Sequence, residues 1–329
     1  MIVWTNAPYG RALRGLALFS AIILSAAASA QPWPSRTITA VVPFGPGTAI
    51  ETAARPIFEE MARHLGQAII IEHRPGAGGT TGAAAVARAA PDGHTLLVYS
   101  SSFSIAHSIH PNRPYDTVRD FKAVLPFGVQ PNVIVTAPSK GFKTLEDLIT
   151  AAKAKPGAMN YASIGVGSAP HVAAERLRLS AGFEAQHIPF RAPPEALTET
   201  LTGRVDFYFV PLGTALPLIK EGKLQPLAVS TSKRATALPE IPTTTELGLK
   251  DSAFDLWIGL FAPAGTPPQV VQRLYDECRK ALDVPSVQER LATLAMEPMP
   301  MTTADFSSYF KKEVEDIAEL IKRAGIKAN

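Results

Sequence analysis

The sequence holds a single cysteine, Cys278, in 329 residues. That excludes an intramolecular disulfide framework and a cysteine-based metal site. The histidines show no H-x-x-x-H spacing, so no metal centre is expected. No G-x-S-x-G turn occurs, which removes the nucleophile elbow of an α/β hydrolase. The loop at Gly76 and Gly78 lacks both the G-x-G-x-x-G spacing and a downstream acid, so no dinucleotide and no other cofactor is expected. Long apolar runs are also missing. The longest, residues 16–27, falls short of the roughly 20 residues that span a bilayer.

That run has another use. Arg11 and Arg14 precede it and Ala28-Ser29-Ala30 follows it, which is the layout of a secretory signal peptide cleaved before Gln31. Cys278 lies far from this junction, so no cysteine is placed to carry a lipid. The mature chain is expected to be exported, most simply to a bacterial periplasm. Charge changes with cleavage: the net charge of +3 includes Arg11 and Arg14, and their loss leaves 30 basic against 29 acidic residues. No basic cluster survives to track a phosphate backbone, and nucleic acid is not an expected partner. At 46% hydrophobic and 19% charged, the chain can bury a core in each of two domains.

What is present is organised around residues 39–55, TAVVPFGPGTAIETAAR. An apolar strand enters a Gly/Pro turn, and a helical periodicity begins near Thr48. Such a junction offers unpaired N–H groups at the positive end of a helix and suits an anion, although an ordinary strand-to-helix turn has the same pattern. Strands are expected at 37–42, 68–72 and 95–99, with helices at 52–65 and 83–90 between them. This order implies parallel βαβ units. Loops rich in Gly, Ser and free amides follow each strand, the third being residues 100–104, and ligand crevices of open α/β sheets lie beyond such strand ends.

Near Asn132 the pattern restarts. Strands are expected from 132, at 160–163, 186–189, 205–210 and 227–230, with helices at 144–154, 172–180, 193–201 and 216–221. An apolar extended run at 254–262 precedes three helices at 267–282, 286–294 and 303–324. Two α/β lobes, with a C-terminal portion packing back on the first, describe a hinged two-lobe binding protein.

Seven motifs occur in order along this frame. They are Pro43-Phe44-x-Pro46-Gly47, Glu72-x-Arg74-Pro75-Gly76-Ala77-Gly78-Gly79, Pro91-Asp92-Gly93 and Asn160-Tyr161-Ala162-Ser163. Then come Gly165-x-Gly167-Ser168-x-x-His171, Gly222-Lys223-Leu224-x-x-Leu227-Ala228-Val229 and the run from Gly259 to Pro267. From Trp33 to Lys327 the chain resembles the periplasmic substrate-binding proteins of tripartite tricarboxylate transporters, the Bug (Bordetella uptake gene) family. The resemblance implies a two-lobed type II periplasmic-binding-protein-like fold, α/β in class, with a ligand cleft between the lobes. Lobe 1 would comprise residues 31–131 plus 257–329, and lobe 2 residues 132–256. It implies a monomer that delivers a small organic carboxylate, a di- or tricarboxylate or an aromatic acid, to integral membrane permease subunits. Carried over by position, ligand contacts would come from Phe44, Gly47 and Thr48, from Gly78 and Gly79, and from Ser100, Ser101 and Ser102. The second lobe would add Ser163, Gly165, Ser168 and His171.

The sequence also departs from the family's pattern. Thr48-Ala49-Ile50-Glu51 stands where Gly-Gly-Thr-Asp is usual, Phe190-Arg191-Ala192 replaces Tyr-Lys-Gly, and Val210 replaces an aspartate. Losing that acid argues against a ligand carrying an amine. Ile50 and Val210 together favour a more apolar pocket and an aromatic or longer aliphatic acid. Arg191 could fork onto a ligand carboxylate or be a solvated arginine near the hinge. His171 could donate to ligand or simply cap and pack its helix, and Trp257 could pack between lobes or stack on a planar ligand. Two other functions remain open on sequence: a ligand-dependent sensor partner of a signalling receptor, and an exported serine hydrolase using Ser163 or Ser168.

Overall fold

The computed structural model describes residues 1–3, 33–190 and 192–326. The leader expected over residues 1–30 lies, from residue 4 on, outside the described residues, and so does Arg191. Among the described residues no helix is long and apolar enough to cross a membrane.

From Arg36 onward the chain forms one compact unit built on two five-stranded sheets. The first sheet has the order β2-β1-β3-β10-β4, from β1 (Ile38–Val42), β2 (Ile69–His73), β3 (Thr95–Ser100), β4 (Phe121–Gln130) and β10 (Leu256–Pro263). Strands β1, β2 and β3 run parallel, and β10 is antiparallel to both of its neighbours. The second sheet repeats this layout as β7-β6-β8-β5-β9, from β5 (Asn132–Thr136), β6 (Asn160–Ser163), β7 (Gln186–Pro189), β8 (Phe207–Pro211) and β9 (Gln225–Val229). Here β6 is parallel to β7 and β8, while β5 is antiparallel to β8 and β9. Each sheet therefore keeps its parallel βαβ core and gains one reversed strand that the local pattern did not reveal.

Helices α1 (Ala49–Leu65), α2 (Thr80–Ala87) and α3 (Ser102–Ile109) follow β1, β2 and β3. Helix α1 starts at Ala49, where the periodicity begins, three residues ahead of the range 52–65, and α2 starts at Thr80, ahead of 83. Ser102 opens a helix rather than continuing a loop, and Ser104 buries its hydroxyl on the carbonyl of Ser101. Gly66 ends α1 as expected, in the left-handed conformation at φ 68°, returning its N–H to Ala62. Helices α4 (Leu145–Ala154), α5 (Ala169–Ala181), α6 (Pro193–Leu201) and α7 (Leu212–Lys220) surround the second sheet. Thr144 and Asp147 form the expected reciprocal cap on α4. Then come α8 (Pro268–Leu282), α9 (Pro285–Thr293) and α10 (Thr303–Ala324).

The chain passes between sheets twice, at neighbouring places. The first passage is Gln130-Pro131-Asn132, from β4 directly into β5. The second returns through residues 230–255, and at its end Leu256 pairs with Gln130. Ser230 donates to the carbonyl of Asn132, and Phe254 donates to that of Ser230, so the two passages are tied side by side.

Helix α10 also links the sheets. Phe306, Phe310 and Val314 pack with Trp257, Phe261 and Phe103 on the first sheet. Further along, Ile317, Leu320 and Ile321 join the core that holds Leu177 and Phe207 on the second. The C-terminal portion thus packs on both sheets, because the apolar stripe of a 22-residue helix is long enough to serve two cores.

Candidate ligand site

The carboxyl end of β1 enters Pro43-Phe44-Gly45-Pro46-Gly47, and Gly47 takes a φ of 77° that only glycine adopts freely. Glu51, one turn into α1, reaches back to accept the Gly47 N–H at 2.8 Å. Arg55 and His73 also bond its carboxylate. The Gly47 amide, then the Arg55 guanidinium, hold the Glu51 carboxyl well down, at about 2. A fixed carboxylate therefore already occupies the start of α1, and Gly47 serves the loop's own geometry rather than offering a free amide.

The second loop is built by glycine. Gly79, at φ 94°, lies so close to Tyr99 that a Cβ would sit 2.0 Å from the phenol oxygen, and that phenol donates to the Gly78 carbonyl. Gly82 leaves similar room for Pro43, with 2.8 Å between an added Cβ and the proline ring. The loops after β1 and β2 interlock for want of side chains.

Across the cleft, β6 runs into Ile164-Gly165-Val166-Gly167-Ser168. Ser163 is fully buried, donates to the Gly165 carbonyl and accepts the Gly165 N–H, both at 3.0 Å. It also lies 2.5 Å from Nε2 of His187. His171 accepts the Gly167 N–H on Nδ1 at 2.9 Å and stacks flat on His187, ring centres 3.8 Å apart. Tyr161 stacks beneath His187 and donates to Glu175, which a forked Arg178 holds in turn. These residues brace the loop from behind.

Burial, with the neighbouring His187 adding to it, depresses His171 to about 4, and burial also depresses His187. An unfolded imidazole protonates near pH 6.5, so between there and about 4 the unfolded state binds more protons. The stability this stack contributes is complete above pH 6.5 and is lost as pH falls toward 4. Urea unfolding should show wild type losing about 2 kcal/mol more than His171→Phe between pH 7.5 and pH 4.5. Parallel pH profiles for the two proteins would remove His171 as the source.

A cavity of about 860 Å³ lies between the two sheets' loops. Of the residues expected at the site, Phe44, Gly47, Thr48, Gly78, Ser100, Ser102 and Ser168 line it. Gly79, Ser101, Ser163, Gly165 and His171 are not in its wall, and Arg191 is outside the described residues. Ile50 and Val210 both line it. Trp257 does not: it is fully buried, packed edge-on against Phe306 and Phe310, and cannot stack on a ligand. Most of the wall is aliphatic, with Ile105, Ile109, Leu197 and Leu256 prominent, and no Asp, Glu, Lys or Arg among the described residues lines it. Among the described residues no group of three or more His, Cys, Asp and Glu could hold a metal ion.

Three polar side chains stand out in this wall. Thr48 Oγ1, Gln130 Oε1 and both amide atoms of Asn132 are buried without a hydrogen-bond partner in the protein. Leaving such groups unpaired costs about 1–3 kcal/mol each, so a cavity lined by them is built to be filled. The sequence reading missed Gln130 and Asn132. Their signal was there: two amides flank one proline inside an otherwise apolar stretch.

A family model described as "Tripartite tricarboxylate transporter family receptor" matches residues 53–326. The chain belongs to that family. It is 35% identical, over 97% of its own length and 95% of the relative's, to the UPF0065 protein in the tcbD-tcbE intergenic region of Pseudomonas sp. (strain P51). Among solved structures it is similar to MatC from Rhodopseudomonas palustris with bound malate, at 32% identity and a TM-score of 0.74, covering 88% of this chain and all of that one. It is also similar to R. palustris Rpa4515 with adipate, at 28% identity and a TM-score of 0.78, covering 90% and 100%. The two-sheet architecture is that of a bilobed type II periplasmic binding protein, and the receptor family is one of solute-binding transport proteins, not of enzymes. Of the two serines named for a hydrolase, Ser163 is buried outside the cavity wall and Ser168 lines it.

Proposed function

We propose that this protein captures a small organic carboxylate between two lobes and presents it to the integral membrane permease subunits of a tripartite tricarboxylate transporter. The observation that carries this reading is the cavity itself: an apolar chamber between two sheets, with hydroxyl-bearing loops at the strand ends and partnerless buried amides. A periplasmic place is supported by membership of a transporter-receptor family. The leader is cleaved after Ala30, and the mature chain acts as a monomer. Lobe 1 comprises residues 31–131 plus 257–329 and lobe 2 residues 132–256, with the two strand passages as the hinge. Phe44, Thr48, Gly78, Ser100, Ser102 and Ser168 contact the ligand. Gly47, Gly79, Ser101, Ser163, Gly165 and His171 shape the loops that present them. Two relatives of similar architecture, solved with malate and with adipate, support a carboxylate as ligand. Ligand binding shifts an open/closed equilibrium by no more than its preference for the closed state.

The test is a thermal-shift screen of residues 31–329 against C4–C6 dicarboxylates, citrate, aromatic mono- and diacids, and amino acids as controls. Ligand at a hundred times its dissociation constant should stabilise the protein by about 2.7 kcal/mol. A flat response across all the acids would overturn carboxylate capture.

A further inference from the structure

Gln130 is 4% exposed and Asn132 fully buried, and both line the cavity at the strand passage. The orientation of the Gln130 amide is fixed by chemistry. Its Nε2 donates to the Leu294 carbonyl at 3.1 Å, and the reverse orientation would set oxygen against oxygen. Oε1 is left as an acceptor with no donor in the protein. Asn132 adds one further acceptor and one donor, both without protein partners. Such a cluster, with two acceptors and the Asn132 amide N–H group, suits a neutral group that donates as well as accepts. It disfavours a carboxylate, which Asn132 Nδ2 could serve but whose oxygens would also face Gln130 Oε1 and Asn132 Oδ1 with no cation to offset them.

Sheet register sets where this cluster lies. Ser100 pairs with Ile258 on β10, Ile258 with Gly128 on β4, and Gln130 is two residues beyond. Two interstrand spacings of about 4.8 Å and two residues of about 3.4 Å place Gln130 about 12 Å from Ser100. Between these poles the walls are aliphatic, including Ile105, Ile258 and Leu256. No acidic side chain among the described residues lines the cavity to match an ammonium group.

We infer that the ligand carries one carboxylate, an apolar body of about ring size, and a neutral hydrogen-bond donor, a hydroxyl or carboxamide, at its far end, where Gln130 and Asn132 select it. The inference rests on carboxylate capture at the hydroxyl-bearing loops and narrows it from organic acids in general to hydroxy- or amido-acids with an apolar middle.

Titration calorimetry with a matched series tests it: 3-(4-hydroxyphenyl)propanoate, 3-phenylpropanoate and 3-(4-carboxyphenyl)propanoate, with malate and adipate alongside. The hydroxyl compound should bind at least tenfold tighter than its unsubstituted parent, because the parent leaves buried amides unpaired. The diacid should bind more weakly still. Asn132→Leu and Gln130→Met should abolish the preference for the hydroxyl while keeping affinity for 3-phenylpropanoate, with unliganded melting curves confirming that each is folded. The comparison on wild type stands even if a variant does not fold. Equal affinities across the series, or tighter binding of the diacid, malate or adipate, would overturn the selection by Gln130 and Asn132 and leave carboxylate capture intact. No binding by any of the five would overturn the inferred ligand class, and carboxylate capture falls only if the full acid panel is flat as well.

Discussion

Glu313→Ala is expected to destabilise the protein by about 3–5 kcal/mol, whereas Glu313→Gln should cost far less and approach or exceed wild-type stability above pH 7. Glu313 lies midway along α10, between the half that packs on the first sheet and the half that packs on the second. Its buried carboxyl accepts the indole N–H of Trp257, at 2.9 and 3.0 Å from its two oxygens, and also meets the Ser104 hydroxyl, whose one proton is shared between Glu313 and the Ser101 carbonyl. Alanine would open a cavity beside Phe310 and leave the buried indole N–H unpaired, while Ser104 keeps the Ser101 carbonyl; glutamine keeps an acceptor for the indole. Burial raises the Glu313 carboxyl to about 7. Between pH 4.5 and pH 7 the folded state therefore binds the extra proton, so this group's stabilising contribution is complete below 4.5 and is lost as pH rises through 7. That sign is opposite to the one at His171, which is why each effect is read as a difference between variant and wild type. The glutamine variant's deficit should shrink by about 2 kcal/mol between pH 5 and pH 8 in urea unfolding. In a Trp33→Phe background, Trp257 fluorescence should titrate near pH 7 and lose that transition in Glu313→Gln. Identical pH profiles, or an unchanged titration, would sink the assignment.

The features legible in the sequence are those fixed over a few residues. The β1, β2 and β3 runs, the Gly66 cap and the Thr144–Asp147 capping box depend on local periodicity and turn chemistry, and all occur as read. So does α10, whose Thr302–Asp305 cap marks its start. Strand β4 escaped because Pro126 and Gly128 interrupt its apolar pattern. In the sheet they sit where the pairing with β10 shifts register, a place where a missing N–H and a missing side chain are tolerated. Helix α3 was hidden by its serines, which suit a loop as well as a helix start. The same division runs through the site. Phe44, Thr48, Ser100 and Ser168 follow strand ends and could be placed by rule. Gln130, Asn132, Ile109 and Leu294 reach the cavity only because two sheets meet there; the amides flanking Pro131 were a local signal for the first two, and nothing local announces the others.

Replacing Gly167 with phenylalanine is expected to weaken binding of any stabilising carboxylate more than a hundredfold while lowering the melting temperature of the unliganded protein only slightly. Gly167 has a φ of 74°, and a Cβ there would lie 2.0 Å from Cδ1 of Ile109, on the helix after β3. The loop of one sheet thus approaches the helix of the other with no room for a side chain. Alanine is the milder step: the left-handed backbone costs about 1–2 kcal/mol, and the end of Ile109 can rotate aside, so affinity should fall only several-fold. Phenylalanine has no such escape. It would hold the lobes apart at the mouth of the cavity, where an open form has solvent to accommodate the ring, so beyond the left-handed backbone cost that any side chain bears here the penalty falls on closure. Ile109→Ala in the phenylalanine background should restore part of the affinity, giving a coupling that two independent sites would lack. Small-angle scattering supplies the structural readout. Ligand should compact wild type but leave Gly167→Phe at its unliganded radius of gyration. Wild-type affinity in that variant would mean that ligand is held without the two loops meeting, and the hydroxyls of Ser100 and Ser168 would then not need to act on the same molecule.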